Sequence, residues 1–299
     1  MIPAVLEVAR HELLVAFRTK RAVWIAAIYL ISAVLGGIVV IMTLRLSEQK
    51  LTEELMRQGA DATSAAGALA KLSEQAFQQL AAFFAGAESE QVAASLQTSI
   101  ILPFFLWGSL AFLPFLILLT SFDQIAADLQ SRSICYSVLR VRRMSILYGK
   151  LLAQTAIFVS VTAIGSLSLS LLAAVLLESF SIVDTAPGLL RIWVVLIPFG
   201  LCYLAISAFC SSLMRLPFAS LMSAIGIVIG LRVAGWFRYI PEDHAFGFLR
   251  HLEWVSPATY QDGLWLEGFA GPASSSVAYL GFALVFLGAA TWRLGGRDL

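Results

Sequence analysis

Charged residues are scarce in this chain, and apolar residues are abundant. Asp, Glu, Lys and Arg make up 13% of its 299 residues, hydrophobic residues make up 59%, and the mean hydropathy is +0.85. A soluble domain of this composition would expose large apolar patches to water, so the sequence predicts an integral membrane protein. The net charge of +1, with basic residues scattered along the chain, gives no reason to expect a nucleic-acid partner.

Cysteine and histidine are equally rare, with three residues of each. Cys135, Cys202 and Cys210 all fall in stretches that we expect in the cytoplasm or within the membrane, so a structural disulfide is not expected. No second cysteine stands at metal-ligand spacing, and the few histidines complete no zinc motif. We therefore expect neither a metal nor another cofactor in this chain.

A phosphate-binding loop of the form GxxxxGK[ST] is absent from the sequence. The Gly149-Lys150 pair is followed by Leu151, and no glycine stands at the required position before it. The sequence therefore predicts no nucleotide site of this kind. No Ser/His pair, paired aspartates or HExxH motif lies within an apolar run, so an intramembrane enzyme is also disfavoured.

Long apolar runs are the dominant feature of the sequence. A helix rises 1.5 Å per residue, so about 20 residues cross a hydrocarbon core of roughly 30 Å. Asp184, Pro187 and Gly188 predict a turn between the third and fourth spans. The predicted fold class is an all-α integral membrane protein with six transmembrane helices, at residues 22–44, 99–121, 146–177, 191–214, 218–236 and 277–292.

The basic residues orient these spans. The polar run 122–150 contains five basic residues and two acidic ones, which places it in the cytoplasm by the positive-inside rule. Residues 122–145 are therefore predicted to form a cytoplasmic loop. Basic residues before the first span, such as Arg21, and after the last span, such as Arg293, place both termini on the same side.

Three further segments have compositions of their own. Residues 1–21 predict an amphipathic helix lying in the interface, although Val8 and Val15 break the apolar stripe, and the alternative is a simple lead into the first span. Residues 45–98 are rich in Ala, Gln, Glu and Ser and predict a helical extracytoplasmic segment. Residues 237–276 are rich in aromatic side chains and predict a loop at the outer interface.

Small residues recur on one face of the first span and of the fifth span. Such faces allow helices to approach closely, so they predict a seam between two copies of the chain, with packing inside one chain as the alternative. The residues concerned are Ala26, Ala33, Gly36 and Gly37 in the first span, and Ala219, Ser223, Gly226 and Gly230 in the fifth.

The order of these features resembles the permease subunit of type-2 ABC transporters, the exporter class. In that family the loop after the second span has an acidic residue, small polar residues, a leucine pair, a basic turn and a Gly-Lys pair. The corresponding residues here are Asp128, Ser131–Ser133, Val138-Leu139, Arg142-Arg143 and Gly149-Lys150, and the ending Arg297–Leu299 is also similar. Two departures are Val141, where family members usually have proline, and the large segment 45–98.

This resemblance implies a transport subunit in the inner membrane that is not itself an enzyme. A separate cytoplasmic ABC ATPase would carry ATP and Mg, two permease copies would pair through the first and fifth spans, and residues 237–276 would form an outer gate. Part of the loop would be a coupling helix that docks on the ATPase, through Asp123, Ile125, Asp128, Leu129, Ser131, Arg132 and Ser133. The spacing predicts that Ile125 and Leu129 form its apolar face, with Asp128 and Arg132 at (i, i+4) on its flank.

The spans contain almost no ionisable residue except near their ends. This favours an amphipathic or lipid-like cargo, or no cargo at all, for a chain surrounded by membrane lipid. The alternative is an ATPase-driven mechanical or signal-transmitting device, in which the segment 45–98 acts on a periplasmic partner and no solute is transported. An ion-driven secondary transporter is disfavoured, because ionisable residues at mid-membrane and repeated halves are not visible in the sequence.

Overall fold

In the computed structural model the chain is helical throughout the part that is described. The structure describes residues 2–57, 101–132, 141–176, 182–239, 247–264 and 270–296. The α-helices are α1 (Ile2–Arg18), α2 (Arg21–Arg57), α3 (Ile101–Ser121), α4 (Ala126–Gln130), α5 (Arg143–Leu176), α6 (Ile182–Leu213), α7 (Pro217–Trp236) and α8 (Ala270–Gly295). Three 3-10 helices cover Phe237–Tyr239, Gly247–Val255 and Pro257–Leu264. Most of the predicted segment 45–98 lies outside the described residues.

Five of the described helical stretches are long and apolar enough to cross a membrane. They are Phe104–Gln130, Arg143–Leu176, Thr185–Leu213, Pro217–Tyr239 and Ala270–Gly295. A shorter apolar stretch, Ala26–Met42, lies within α2. The prediction of an all-α, multi-pass membrane protein is confirmed, whereas the sixth span stays a prediction.

Helix α6 is the centre of the bundle, because it contacts α3, α5, α7 and α8. Phe199 of α6 is fully buried, and its ring packs edge-on against Tyr279 of α8 with 5.3 Å between the ring centroids. The next residue, Gly200, lies directly against the ring of Phe158 on α5, so any side chain at this position would collide with that ring. Aromatic contacts and close backbone approach therefore hold α6 between its neighbours.

The predicted turn at Pro187 and Gly188 is wrong, because α6 begins at Ile182 and continues through both residues. A proline removes one backbone hydrogen bond, but membrane helices tolerate it when neighbouring groups compensate. Here the packing of the following residues outweighs the local turn signal, since Leu189 and Ile192, within two turns after Pro187, are buried in the core.

The aromatic segment predicted as a loop at residues 237–276 contains the three 3-10 helices, and α8 already begins at Ala270. The Tyr279 hydroxyl on α8 donates a hydrogen bond to the carbonyl of Pro257 at 2.9 Å. The ring of Tyr260 packs edge-on against Phe282, with the centroids 5.9 Å apart. The described part of this segment is therefore docked on one end of the bundle, which we call the 3-10 end.

Candidate functional site

A cluster of three charged side chains lies at the other end of the bundle, which we call the α4 end. The ammonium group of Lys150 lies 2.7 Å from a carboxylate oxygen of Glu12 and 2.9 Å from a carboxylate oxygen of Asp128. These residues belong to α5, α1 and α4 respectively, so one cation joins three helices. In the part of the chain that is described, Lys150 is the one charged residue that is buried.

Gly149 allows α1 to reach this cluster. A Cβ atom at Gly149 would lie 2.7 Å from Cβ of Val8 and 2.9 Å from the carbonyl oxygen of Val5, so a side chain there would push α1 away from α5. Glu12 follows Val8 by one helical turn and therefore lies on the same side of α1, above Lys150. Val8 breaks the predicted apolar stripe because it faces α5.

The short helix α4 is anchored to α6 by a serine. The backbone N–H groups of Ile125 and Ala126 both donate to the hydroxyl oxygen of Ser211, each at 2.9 Å. Because the first N–H groups of a helix have no partner within it, this hydroxyl satisfies two donors that would otherwise be buried and unpaired.

Apolar contacts complete the anchoring of α4. The side chain of Ile125 is 1% exposed, and Leu129 packs against the same small cluster. The other buried members of this cluster are Leu147, Ala208, Ala290 and Leu294, from α5, α6 and α8. The structure thus places Ile125 and Leu129 on one apolar face of α4, as their spacing predicts.

The prediction that Arg132 lies on the same helix as Asp128 is wrong, because α4 ends at Gln130. The backbone N–H and the hydroxyl of Ser131 both donate to the carbonyl of Ala127, at 2.9 and 2.8 Å. A serine hydroxyl that competes for helix carbonyls in this way favours a helix end. Arg132 follows with φ of 57°, a left-handed conformation that is strained for a residue other than glycine.

A second basic residue at the α4 end contacts the last turn of α8. The guanidinium group of Arg143 donates to the carbonyl oxygens of Leu294 and Gly295, at 3.2 and 3.5 Å. The last carbonyls of a helix have no partner within the helix, and a cation there also interacts favourably with the helix dipole. Charged and polar groups therefore link α1, α4, α5, α6 and α8 at this end.

The predicted ATPase-coupling residues are not equally accessible. Ile125 is buried, Asp123, Asp128 and Leu129 are partly exposed, and Ser131 and Arg132 are exposed. Ser133 lies outside the described residues. The exposed surface of this segment therefore consists of its last residues, from Gln130 to Arg132, and we call it the α4 tip.

The two small-residue faces differ in their surroundings. Gly37 of α2 is buried, and a Cβ atom there would collide with Leu169 of α5. Gly226 and Gly230 of α7 are exposed, and within the described part of the chain a Cβ atom at either would meet no atom within 4 Å. The close contact at Gly37 is thus made inside the chain, whereas the face of α7 is open. Pairing of two copies stays a prediction.

Sequence reasoning did not identify Glu12 or Ser211 as members of this site. A signal for Glu12 was available, because Lys150 stands within an apolar run and a buried cation there requires a carboxylate partner. Asp128 was predicted, although with Arg132 as its neighbour on the helix rather than with Lys150. Nothing in the sequence distinguishes Ser211 from the other serines of α6.

The fold defines a multi-pass helical membrane protein that holds a short helix at one end of its bundle by ionic and polar contacts. Residues 6–299 match a protein-family model described as ABC-2 family transporter protein. The chain therefore belongs to the ABC-2 transporter family, and the resemblance to a type-2 ABC permease is confirmed. No curated protein matches the chain.

Membership of this family gives the chain a general role. It is the transmembrane component of an ABC transporter and not the ATPase itself. The family implies in general that the chain works with an ABC ATPase partner.

Proposed function

We propose that the chain is the permease subunit of an ATP-driven exporter, and that it couples ATP hydrolysis on a separate ATPase subunit to movement of an amphipathic or lipid-like substrate. The observation that supports this most strongly is the way in which α4 is held. Lys150 and Ser211 fix the helix to the bundle, while the α4 tip is exposed for a partner.

The anchoring of α4 explains how a force could enter the membrane. A helix of five residues is not stable alone, so its shape depends on its contacts with the bundle. A partner that displaces the α4 tip would therefore act on α5 through Lys150 and on α6 through Ser211. These two helices have 34 and 32 residues, and at 1.5 Å per residue each is about 50 Å long, more than the hydrocarbon core needs.

In this proposal the α4 end lies in the cytoplasm, as the basic residues of the loop predict. ATP and Mg bind to the partner ATPase, because the chain has no phosphate-binding loop. Coupling requires that the partner contact the α4 tip differently in its nucleotide states, since only differential contacts can shift the equilibrium between two conformations.

The proposed class of substrate rests on the scarcity of buried charge in the described spans. Lys150 is paired with two carboxylates and lies at the end of α5, so it is not a free site for an ionic solute. A cavity between α2, α3, α5 and α6 is lined mainly by apolar side chains, with Tyr29, Thr120 and Gln154 as its polar residues. Such surroundings suit an acyl chain better than a hydrated ion.

The test of ATPase coupling is a charge reversal at the α4 tip. We expect Arg132→Glu to leave membrane insertion intact and to reduce stimulation of the copurifying ATPase by about tenfold or more, because like charges facing each other at an interface cost several kcal/mol. Arg215→Glu is the matched control, since Arg215 is also exposed and lies in the turn between α6 and α7 at the same end. Equal activity of both variants and the parent would contradict docking at the α4 tip.

The test of substrate movement uses the same complex in vesicles. We expect ATP-dependent translocation of a fluorescent phospholipid analogue, and we expect it to be lost together with ATPase stimulation in Arg132→Glu. Stimulated hydrolysis without movement of the phospholipid analogue or of other amphipathic solutes would contradict the exporter and favour the second candidate function.

The second candidate is a mechanical or signal-transmitting device that acts on a periplasmic partner. One observation favours it. Helix α2 continues without interruption from Arg21 to Arg57, well beyond the predicted end of the first span at Leu44. At 1.5 Å per residue its 37 residues extend about 55 Å, so the helix would project well beyond a hydrocarbon core of roughly 30 Å. A rigid projection of this kind could move a partner without a transport path.

We also propose that two copies of the chain pair, with α7 providing the seam. Gly226 and Gly230 present open backbone on the surface of the bundle, and small residues of this kind let helices pack closely in a membrane. The contribution of α2 is smaller in this proposal, because Gly37 already packs against Leu169 in the same chain.

A further inference from the structure

Unpaired polar groups are concentrated around the segment that precedes α4. Among the described residues, the buried polar side-chain atoms without a hydrogen-bond partner belong to Gln124, Ser207, Ser220 and Ser276. Gln124 is 7% exposed, and neither its amide nitrogen nor its amide oxygen is paired. Ser207 and Ser220 are fully buried. Three of these four side chains therefore lie on elements that meet beneath α4.

The positions of the three residues follow from the anchoring of α4. Gln124 directly precedes Ile125, whose N–H group bonds to Ser211. Ser207 lies one turn before Ser211 on α6, on the same side of that helix. Ser220 lies in the first turn of α7, and α4 contacts both α6 and α7. Gln124 therefore belongs to the segment that leads into α4, and α4 contacts both helices that hold the unpaired hydroxyls.

A buried amide without partners is unfavourable, because it has lost its hydrogen bonds to water and gained none in return. An apolar side chain of similar size would fill the same space without that penalty. In the described position of the segment, neither polar atom of the Gln124 amide has a partner among the described residues of the protein. Such a residue is explained if a second position of the same segment satisfies its amide.

We infer that Gln124 is a positioning residue for coupling, whose amide is unpaired in the described position of α4 and bonds to Ser207 or Ser220 in a second position that the ATPase stabilises. This inference rests on the proposed function. The Gln124 amide would make different hydrogen bonds in the two positions of this segment. A difference of this kind allows a partner to shift the equilibrium between the two positions.

The test is Gln124→Met, which keeps the length of the side chain and removes its polar atoms. We expect the thermal midpoint of the purified chain without ATPase to rise by about 2–4 °C, since the unpaired amide is removed. We expect stimulation of the ATPase that copurifies with the parent chain to fall about fivefold, since the second position loses its hydrogen bond. A residue with a purely structural role would not change these two quantities in opposite directions.

Gln130→Met is the control for the thermal measurement, because it makes the same chemical change at an exposed position of α4. Its thermal midpoint should equal that of the parent. A midpoint of Gln124→Met that is unchanged or lower would overturn the inference, because the amide would then be satisfied in the resting chain. A higher midpoint with undiminished stimulation would also overturn it, because the amide would then be a packing defect without a role.

The serines provide a second pair of variants that remove only a hydroxyl group. We expect Ser207→Ala or Ser220→Ala to lower stimulation of the ATPase about fivefold, and full stimulation in both would show that neither hydroxyl is the second partner. Failure of any ATPase to copurify with the parent would reject the proposed function and this role of Gln124 together. If the ATPase copurifies with the parent but Gln124→Met stimulates it as strongly as the parent does, only the role of Gln124 is rejected and the proposed function stands.

Discussion

The two ends of the helical bundle are held together by different kinds of contact. At the α4 end, Lys150, Arg143 and Ser211 make charged and polar contacts between helices. At the 3-10 end, the Tyr260 ring packs on α8, and Tyr279 donates a hydrogen bond to the segment that covers it. A single ion pair or hydrogen bond can break and re-form with another partner while its neighbours stay in place. Packed aromatic rings, by contrast, lose several contacts at once when the helices that carry them separate. If the chain couples to an ATPase as we propose, we expect the α4 end to be the part that moves.

The largest effect is expected when the central cation of the α4 end is removed. Lys150→Met leaves the carboxylates of Glu12 and Asp128 next to each other without a cation, and because both carboxylates are partly exposed we expect a loss of about 2 kcal/mol, below that of a fully buried pair. We expect lower thermal stability and faster proteolysis of α1, together with loss of ATPase stimulation. Thermal unfolding and limited proteolysis in detergent would measure both changes.

The control for Lys150→Met is the triple variant Glu12→Gln, Asp128→Asn and Lys150→Met, which has no charge in the cluster. Its stability should recover most of the loss, because neutral side chains tolerate burial better than unpaired charges do. ATPase stimulation should stay low, since the neutral cluster no longer holds α4 to α5 by charge. If the triple variant were as unstable as the single one, packing rather than charge would hold the α4 end.

A smaller effect is expected at the 3-10 end from Tyr279→Phe. The variant removes the donor to the Pro257 carbonyl and keeps the buried ring, so the loss should be about 1 kcal/mol. Thermal stability should fall slightly, and ATPase stimulation should not change. Tyr260→Phe is the matched control with a still smaller effect, since its hydroxyl lies 3.5 Å from the carbonyl of Trp254. A large loss of stimulation in Tyr279→Phe would show that the 3-10 end also moves during coupling.

The smallest effect on stability is expected on α7, which runs between the two ends. Gly226→Leu with Gly230→Leu should leave the free energy of unfolding within about 0.5 kcal/mol of the parent, because a Cβ atom at either position has no atom of the described residues within 4 Å. Crosslinking between two copies should weaken, since the larger side chains keep α7 helices apart. By contrast, Gly37→Leu should destabilise the chain itself. Unchanged crosslinking in the double variant would remove α7 from the seam.

The sequence predicted the helical class and the apolar face of α4, because both follow from local patterns of hydropathy and spacing. It did not predict which helices are central. In the most apolar stretch of α6 the mean hydropathy is 2.2 and 72% of the residues are buried. In that of α7 the mean hydropathy is 1.8 and 17% of the residues are buried. Lipid and protein interior are both apolar, so hydropathy cannot distinguish a helix that faces one from a helix that faces the other.

The site was predictable only where its residues are close in sequence. Ile125 and Leu129 were placed together by their spacing, but the pairing of Lys150 with Glu12 joins helices that are far apart in the chain. The turn at Pro187 was wrong because a local signal was overruled by tertiary packing. Tertiary contacts of this kind depend on how helices approach, and a single glycine such as Gly149 can decide that approach.

The close contact between α1 and α5 at Gly149 has a consequence for the membrane around the protein. On the side away from α5, α1 exposes Ile2, Leu6 and Phe17, which are 76, 55 and 60% accessible. If α1 lies in the bilayer interface as predicted, these side chains would be buried among the headgroups and upper acyl chains. Because the contact at Gly149 joins α1 to α5, tilting of α5 would also move α1 and its apolar side chains within the lipid. The work of each transport cycle would then depend on the lateral pressure and curvature of the host membrane.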